Sequence, residues 1–484
     1  MKTNRLKVNA VLNVVKTVFS IIFPLITFPY VSRVLMPENI GKVNFGASFV
    51  SYFALIASLG IATYAVRECS AKRNNIDELS KTASQIFSIN IVTTVIAYAF
   101  MLATLLLFRQ FDSYRTLIVI QSSAILFTTL GCDWLNLAME DFAFITIRTI
   151  SFQVISLILM FAFIHQPEDY LKYAVITVLA SSGANIVNIY YRRKYCSVRF
   201  VRSMEWRKHL RPIMLLFVMI LAQTIFNSSD ITMLGLMKGD YEVGLYSSAV
   251  KMANLVSQVV ASLAWVVMPR MSLYFAEENY EKINEMLKKT FTVLVTIGLP
   301  CAVGCICLSQ EIILIISGEQ YIAASPALSL LMIGFLFSLV GGSFLGNMVL
   351  LPSKREDIYM IVCCIATGVN LVMNYFMIPL WGVNAAAATT MFASLLIMVL
   401  LIVKRDRRIK LDYIFRTMLP PVLGCILIFA TCALVKSIAI GLILRTFACV
   451  LICVVVYFTI QIIFKNQIVI ELLSAVKSKI GIKK

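Results

Sequence analysis

The sequence predicts an all-α polytopic membrane protein with about 14 transmembrane helices. Three observations predict this class: the composition, the recurrence of long apolar runs and the one-sided distribution of basic residues. Apolar residues make up 60% of the 484 residues and charged residues 14%, whereas soluble chains carry about 25% charged residues. This surplus of apolar surface argues against a soluble enzyme, a disordered chain and a nucleic-acid-binding protein.

Apolar runs of about 20 residues recur along the chain and are separated by short polar segments. Their length and continuity argue against the shorter, alternating strands of a membrane barrel. Lys16 interrupts the first run and no small-residue cleavage site follows it, so we interpret this run as a helix rather than a secretion signal. The predicted spans are 8–32, 43–63, 83–107, 115–136, 144–164, 173–190, 213–235, 243–268, 290–308, 327–350, 358–380, 385–403, 418–436 and 442–464.

The net charge of +18 is distributed very unevenly between the two faces of the membrane. With an even number of spans both termini share one face, and most of the 43 Lys and Arg residues fall in the loops of that face. Loops rich in Lys and Arg stay in the cytoplasm. Both termini are therefore predicted to be cytoplasmic, and the basic composition needs no nucleic-acid partner.

The two most basic loops, 191–212 and 404–417, follow the sixth and twelfth spans. They predict an N-terminal six-helix lobe (1–200), a second six-helix lobe (201–410) and a last part (411–484) with two further helices and an amphipathic cytoplasmic tail. The segment 35–41 resembles the segment 236–244, as expected of parallel repeats. Chance similarity between two short loops is the alternative.

Polar side chains form stripes on three of the predicted helices. A charge at the centre of a membrane helix costs about 2.5–3.5 kcal/mol, so such residues face protein or water. Spacings of three and four residues place each set on one helical face. The sets are Asn9, Asn13, Lys16 and Ser20 on the first helix, Gln223, Asn227 and Asp230 on the seventh, and Ser247, Lys251, Asn254 and Gln258 on the eighth.

We interpret these stripes as the lining of a central, water-filled cavity. Lys16, Arg148 and Lys251 would bind an anionic group such as a phosphate, and Arg33 would lie at its outer end. Amide side chains would supply hydrogen bonds, namely those of Asn13, Asn44 and Asn254. The alternative is internal ion pairing, of Asp133 with Arg148 and of Asp230 with Lys251, which would hold the helices in register.

The acidic residues within the predicted spans have two possible roles. Asp133 and Asp230, with Glu140 close by, would either bind a coupling ion, H⁺ or Na⁺, or serve as salt-bridge partners. No other cofactor is expected, and neither is a metal site, because the chain has only two His residues and most of its 12 Cys residues fall in apolar runs. No catalytic constellation is visible, so the sequence favours a transport protein over an enzyme.

Three stretches resemble the bacterial polysaccharide-biosynthesis flippases, the O-antigen repeat-unit branch of the superfamily that also contains multidrug and toxin extruders and lipid II flippases. They cover most of the first eight predicted helices. The stretches are Phe28 to Leu35 continuing through Ile40 to Phe45 and Tyr52-Phe53; Asp133-Trp134-Leu135 with Glu140-Asp141-Phe142 and Ile147-Arg148; and Asp230 to Gly235 with Val243 to Tyr246, Lys251 and Met268-Pro269-Arg270. The family's usual glycine before Glu140 is Met139 here.

The resemblance implies two six-helix lobes around a central cavity, as in the multidrug and toxin extruders, with two additional helices. It also implies a flippase that moves undecaprenyl-diphosphate-linked oligosaccharide across the bacterial cytoplasmic membrane by alternating access. The expected partners are this lipid-linked oligosaccharide, the bilayer, a polysaccharide polymerase and a chain-length regulator. A cation-coupled small-molecule exporter, a lipid II flippase and a non-transporting membrane polymerase or scaffold remain the alternatives.

Overall fold

A computed structural model describes residues 2–265, 267–438, 441–466, 468–471 and 474. Most of the predicted amphipathic tail, residues 465–484, lies outside these ranges. The described chain folds into helices joined by short connections. They are α1 (Lys2–Ser58), α2 (Ile61–Ala71), α3 (Ile76–Leu107), α4 (Arg115–Gly131), α5 (Asp133–Ala138), α6 (Phe142–Phe163), α7 (Tyr170–Val178), α8 (Ala184–Tyr191), α9 (Trp206–Met237), α10 (Asp240–Trp265), α11 (Met268–Ala276), α12 (Tyr280–Cys307), α13 (Ser309–Ile316), α14 (Ser325–Ser338), α15 (Glu356–Lys404), α16 (Ile414–Lys436) and α17 (Leu442–Ile463).

Ten helical segments among the described residues are long and apolar enough to cross a membrane. Two of them, Val15–Ala71 and Glu356–Lys404, have 57 and 49 residues. A helix of 49 residues is about 74 Å long, more than twice the thickness of the hydrocarbon core, so each segment accounts for two predicted spans. The 17-residue α4 and the 26-residue α10 account for the other two. The predicted all-α polytopic fold is confirmed.

Both long helices are sharply kinked at one residue. In α1 the kink lies at Met36, with φ 63° and ψ 167°, directly before Pro37. In α15 it lies at Gly382, with φ 53° and ψ −128°. The connections that we expected between the first and second spans, and between the eleventh and twelfth, are therefore sharp breaks at one residue between two helical arms rather than longer loops.

The chain forms two compact units, residues 1–244 (unit 1) and 245–484 (unit 2). The three-part division of the chain that the basic loops suggest stays a prediction. In unit 1, α1 packs against α3, α4, α6 and α9. A buried His209 on α9 joins α2 and α3, since its Nδ1 lies 2.8 Å from the Tyr64 hydroxyl and its Nε2 lies 3.2 Å from Gln85 Oε1.

In unit 2, buried polar side chains hold α17 against α12 and α16. The hydroxyl of Tyr457 donates to the carbonyl of Thr296 at 2.7 Å. The amide of Gln461 donates to the carbonyl of Pro420 at 3.0 Å, and Gly424 leaves room for the Tyr457 ring. These bonds fix the two C-terminal helices to the rest of unit 2, because an unpaired polar group costs several kcal/mol in a bilayer.

The two segments that resemble each other in sequence pack against each other within unit 1. A Cβ on Gly41 would lie 1.8 Å from the carbonyl oxygen of Asp240, and one on Gly244 would lie 2.0 Å from that of Pro37. Tyr114 adds a hydrogen bond of 2.7 Å from its hydroxyl to Asp240 Oδ1. We call this the Gly41–Gly244 contact. It is a reciprocal approach of two backbones that only glycine permits.

Candidate functional site

A broken helix places the first functional side chain. Helix α4 ends at Gly131, Cys132 takes a left-handed conformation with φ 49° and ψ 49°, and α5 begins at Asp133. The carbonyl groups freed at the break are satisfied by Asn188, whose Nδ2 donates to Gly131 O at 2.5 Å, and by Arg192, whose Nη1 donates to Leu130 O at 2.8 Å. The prediction of one continuous span over 115–136 is thus wrong at Cys132, because these partners come from a distant part of the chain.

Asp133 and Arg148 form an ion pair inside unit 1. The Arg148 side chain is 5% exposed and that of Asp133 is 37% exposed. Asn136 donates to Asp133 Oδ1 at 3.2 Å, and Asn185 Oδ1 lies 3.5 Å from Arg148 Nη1. The pairing that the sequence left open for these two residues therefore exists. Direct contact of Arg148 with an anionic ligand stays a prediction.

The carboxylate of this pair faces a cavity of about 450 Å³ within unit 1, which we call the Asp133 cavity. Its lining includes Asp133 and Trp134, but no Lys or Arg among the described residues. The indole Nε1 of Trp134 is buried and has no hydrogen-bond partner in the described structure. Other polar lining residues are Ser51, Ser58, Asn90, Thr128, Thr129, Ser182 and Thr224. The cavity thus offers hydroxyls, one amide and one carboxylate, and the unpaired indole N–H of Trp134 lies buried in its wall.

The remaining cations of the predicted site are distributed over both units. Lys16 is half-buried on α1. The first arm of α1, which precedes the kink at Met36, contacts α6 through a hydrogen bond from Thr146 to the carbonyl of Leu12. Arg33 is exposed, and its Nη1 donates to the carbonyl of Pro29 at 2.8 Å. Lys251 is half-buried on α10 and belongs to unit 2. A cavity lined jointly by Lys16, Arg148 and Lys251 stays a prediction.

The predicted amide and acidic residues also differ in their surroundings. Asn44 on α1 is half-buried, whereas Asn254 on α10 is exposed. Asp230 on α9 is buried. The side chain of Asn13 lies outside the part of the chain that the structure describes. A role of these four residues in binding substrate or a coupling ion therefore stays a prediction.

The turn at Glu140 lies outside the Asp133 cavity. Met139 has ordinary angles, φ −87° and ψ 0°, and Glu140 instead takes the positive φ of 58°. A side chain in place of the family's glycine at 139 therefore causes no strain. Glu140 is exposed and pairs with Arg73 at 2.9 Å. This ion pair therefore lies at the surface.

Asp141 binds this turn to the end of α8. It accepts hydrogen bonds from the hydroxyls of Tyr195 at 2.5 Å and Tyr191 at 2.9 Å, and from the backbone N–H of Phe144 at 3.2 Å. Partial burial raises the pKa of the Asp141 carboxyl, but the hydrogen bonds from Tyr195, Tyr191 and Phe144 outweigh it and hold the pKa below its usual value.

This network predicts a pH dependence. Because the pKa of Asp141 is lower in the folded than in the unfolded chain, its carboxylate stabilises the fold above about pH 4, and this stabilisation is lost as the pH falls through the folded pKa. We expect the Y191F/Y195F variant to have a lower Tm in detergent than the wild type. This difference in Tm should be largest above about pH 4 and should become smaller as the pH falls below that value. The exposed Tyr190 is the control, since Y190F should show no such pH dependence. If the Tm difference from the wild type became smaller at low pH to the same extent in both variants, the role of Asp141 would be contradicted.

A ladder of hydroxyl groups joins α9 to the second arm of α1, which follows the kink at Met36. Ser48 Oγ lies 2.8 Å from the carbonyl of Ser228 and 2.7 Å from Thr232 Oγ1. The Tyr52 hydroxyl lies 3.1 Å from Thr232 Oγ1, and Ser51 Oγ donates to Ser228 Oγ at 3.2 Å. Along α1, this hydroxyl ladder follows the Gly41–Gly244 contact, which joins α1 to the start of α10. Ser51 also lines the Asp133 cavity.

The model of the polysaccharide biosynthesis protein family matches residues 6–275, more than half of the chain. The chain belongs to this family. The matched region contains every site residue named above and ends just after Lys251 and α10. A second family model, MatE, matches residues 216–376 of this family member.

Curated relatives and solved structures agree with this membership. The chain is 22% identical over 386 residues to a protein named as an O-antigen transporter from Shigella dysenteriae, covering 79% of this chain and 95% of that one. It is 20% identical over 372 residues to the capsular polysaccharide biosynthesis protein CapF of Staphylococcus aureus, covering 74% and 88% of the two chains. The Shigella relative is named as a transport protein and not as an enzyme.

The fold of this family member is similar to that of two solved transporters. The inward closed conformation of the lipid II flippase MurJ matches with a TM-score of 0.69 and 14% identity, over 95% of this chain and 99% of that chain. An inward-facing multidrug resistance MATE family transporter matches with a TM-score of 0.60 and 16% identity, over 79% and 93%. These likenesses agree with the predicted MATE-like helical fold.

Three residues of the site were not predicted from the sequence. Asn185, Asn188 and Arg192 lie at spacings of three and four residues, and so on one helical face, in and just after the sixth predicted span. They bind Arg148, the broken end of α4 and Cys132. The same polar periodicity that identified the stripes on the first, seventh and eighth helices would have found them.

Proposed function

We propose that this membrane protein is a flippase that moves undecaprenyl-diphosphate-linked oligosaccharide repeat units across the bacterial cytoplasmic membrane for the synthesis of a surface polysaccharide. The observation that carries the proposal is the match to the Shigella dysenteriae protein named as an O-antigen transporter, which covers 95% of that protein. Alternating access would expose the binding residues first to the cytoplasmic and then to the outer side, while the lipid tail stays in the bilayer.

The substrate has two polar parts with different chemical needs. A diphosphate needs cations, and Lys16, Arg148 and Lys251 would supply them. The Arg148 guanidinium is already paired with Asp133, so the phosphate oxygens would compete with that carboxylate for it. A sugar needs neutral donors and acceptors, which the lining of the Asp133 cavity provides. Its 450 Å³ lies within the usual range of ligand pockets, about 300–1,000 Å³.

The cation assignment predicts a specific loss of transport. We expect K16A, R148A and K251A each to reduce surface polysaccharide in a deletion strain, and to cause lipid-linked repeat units to accumulate inside the cell. Charge reversal to Glu should be more severe than neutralisation, since it repels the diphosphate. The measurement is surface polysaccharide and lipid-linked intermediate at equal protein levels, with the exposed residues Lys289 and Arg115 replaced by Ala as controls. Full complementation by all three variants would refute the assignment.

The vacant indole donor predicts a role for Trp134 in substrate binding. W134F removes the indole N–H group together with part of a buried ring, so we expect a lower Tm and compare transport at equal amounts of folded protein. Transport should still fall several-fold, since one hydrogen bond is worth about 0.5–1.5 kcal/mol. The measurement is the initial rate of flipping of a labelled lipid-linked oligosaccharide in vesicles. Unchanged transport by W134F would show that the indole donor serves no substrate.

Two finer assignments belong to the same proposal. Both termini would be cytoplasmic, and reporter fusions that are active only outside the cytoplasm should be silent at either end. The chain would also work beside a polysaccharide polymerase and a chain-length regulator, which co-purification of tagged protein from the native host would test. Reporter activity at either terminus would overturn the orientation.

A cation-coupled exporter is a second candidate, favoured by the carboxylate in the Asp133 cavity. Exporters of cationic compounds need acidic groups, and H⁺ or Na⁺ binding at Asp133 or Asp230 would couple transport to an ion gradient. Efflux of cationic dyes from vesicles with an imposed H⁺ or Na⁺ gradient separates the two functions. Gradient-driven dye efflux that D133N abolishes, together with normal polysaccharide in the deletion strain, would favour the exporter.

A further inference from the structure

Three cysteine side chains converge in the interior of unit 2. Cys432 lies on α16, and Cys449 and Cys453 lie one turn apart on α17. The Sγ atom of Cys432 is 3.5 Å from that of Cys449 and 3.6 Å from that of Cys453. All three sulfur atoms lie within 4.8 Å of one another, and all three residues are buried. Sequence spacing alone gave no metal-binding motif here, because the convergence depends on how two helices pack.

We propose that Cys432, Cys449 and Cys453 form a binding site for a soft, thiol-seeking metal ion, and that Cu(I) is the ion that fits it. Three sulfur ligands at about 2.3 Å from one ion lie about 4.0 Å apart in a trigonal site. The observed separations need only small rotations of the side chains to reach this value. Thiolate ligands favour soft metals, namely Cu(I), zinc and iron–sulfur clusters.

The number of ligands argues for Cu(I) over zinc. A structural zinc ion takes four ligands in a tetrahedron, and four such sulfur atoms would all lie within about 3.8 Å of one another. Cys307 packs against this cluster, and its thiol is hydrogen-bonded to that of Cys432. It is not part of the described group whose ligand atoms all lie within 4.8 Å of one another. Among the described residues, three sulfur atoms therefore converge on one point, and Cys307 contacts only one side of the group.

Charges near the cluster suit a metal bound by thiolates. Thiols lose protons to solvent as they bind a metal, so the complex with Cu(I) is anionic. Lys436 lies one turn after Cys432, and Arg445 lies one turn before Cys449. Glu311 pairs with Lys436 at 2.9 Å, so two cations oppose one carboxylate at this end of the helices. The Nε atom of Arg445 is buried without a hydrogen-bond partner in the described structure, which leaves a donor directed at no protein acceptor.

A cavity adjoins the three cysteines. It has a volume of about 390 Å³ in unit 2 and is lined by Cys432 and Cys453, and by Cys301 and Cys305 of α12. Cys301 and Cys305 lie one turn apart on the cavity wall and offer further soft ligands beside the three convergent ones. The rest of the lining is mostly apolar, which excludes hard hydrated ions such as Mg²⁺.

Copper binding by the purified full-length chain tests the proposal. The protein in detergent is incubated anaerobically with the acetonitrile complex of Cu(I), filtered to remove free metal and analysed for copper per chain in the presence of a competing chelator. We expect the wild type to retain one copper and the C432S/C449S/C453S variant to retain none. The matched control is C69S/C132S/C196S, three buried cysteines of unit 1, which should retain one. Equal copper in wild type and the first variant would overturn the proposal.

A second measurement uses the wild type alone and so does not depend on the folding of the variant. Maleimide labelling followed by peptide mass spectrometry reports which cysteines react in partly unfolded protein. We expect Cu(I) to protect Cys432, Cys449 and Cys453 against labelling, and to leave Cys69 and Cys196 unprotected. Equal labelling with and without copper, or a disulfide among the three cysteines in protein kept under reducing conditions, would overturn the metal site.

Discussion

Replacing Asp133 by Ala is expected to lower the stability of the protein more than replacing Arg148 by Ala, although each change breaks the same ion pair. The reason is the unequal exposure of the two side chains, 5% for Arg148 and 37% for Asp133. D133A leaves a buried guanidinium without its counter-charge, which costs about 3–5 kcal/mol. R148A leaves a carboxylate that water in the Asp133 cavity can solvate, so its cost is smaller.

The measurement is the Tm of each purified variant in detergent, together with the amount of folded protein in the membrane. The matched variant is D133N/R148M, which removes both charges and keeps similar side-chain volumes. Replacing a buried ion pair by neutral groups is often neutral for stability, so this double variant should recover most of the Tm. We expect it to stay inactive in transport. A Tm for R148A below that of D133A would contradict the burial argument.

Placing a methyl group at Gly41 or Gly244 is expected to disrupt unit 1 strongly. The new Cβ would lie 1.8 Å from the carbonyl oxygen of Asp240 or 2.0 Å from that of Pro37. Both obstacles are backbone atoms, so no side-chain rotation relieves the clash, and overpacking of this kind costs about 1–3 kcal/mol or more. The nearby hydroxyl ladder between α1 and α9 should then loosen, because α1 carries Gly41 as well as one side of the ladder, and α9 ends at Met237, just before α10 begins at Asp240.

Hydrogen–deuterium exchange measures this loosening directly. We expect faster exchange in residues 45–58 and 225–237 of G41A and G244A, together with a lower Tm. The controls are G304A and G368A, two helical glycines with no atom within 4 Å of an added Cβ. These should be neutral or slightly stabilising, since Ala favours helix by about 1 kcal/mol over Gly. Unchanged exchange in G41A would mean that the two backbones separate without affecting the ladder.

The helices themselves could be predicted from the sequence because their cause is local. Runs of about 20 apolar residues must be helical in a bilayer, where each backbone group needs a partner within its own segment. The breaks could not be predicted, since Met36, Cys132 and Glu140 take positive φ values without being glycine. A non-glycine residue adopts such angles only when its surroundings hold it there. At Cys132 the holding groups are Asn188 and Arg192, which lie more than 50 residues away in sequence.

The candidate site was likewise predictable only in part. The spacing of charges correctly suggested that Asp133 could pair with Arg148, because the two residues lie on consecutive predicted helices. Which of the two would face the cavity could not be predicted, since that depends on the direction in which α5 leaves the break at Cys132. The sequence analysis assigned ligand contact to the cation, whereas the Asp133 cavity presents the carboxylate.

The reciprocal approach of the segments around Gly41 and Gly244 limits how members of this family can be recombined. Each glycine accommodates the backbone of the other segment, so the two segments have to match in shape. A chimaera with its crossover near residue 150 would take its two segments from different parents. Such hybrids should assemble only when both parents carry compatible segments, and crossovers placed after residue 244 should be tolerated more widely.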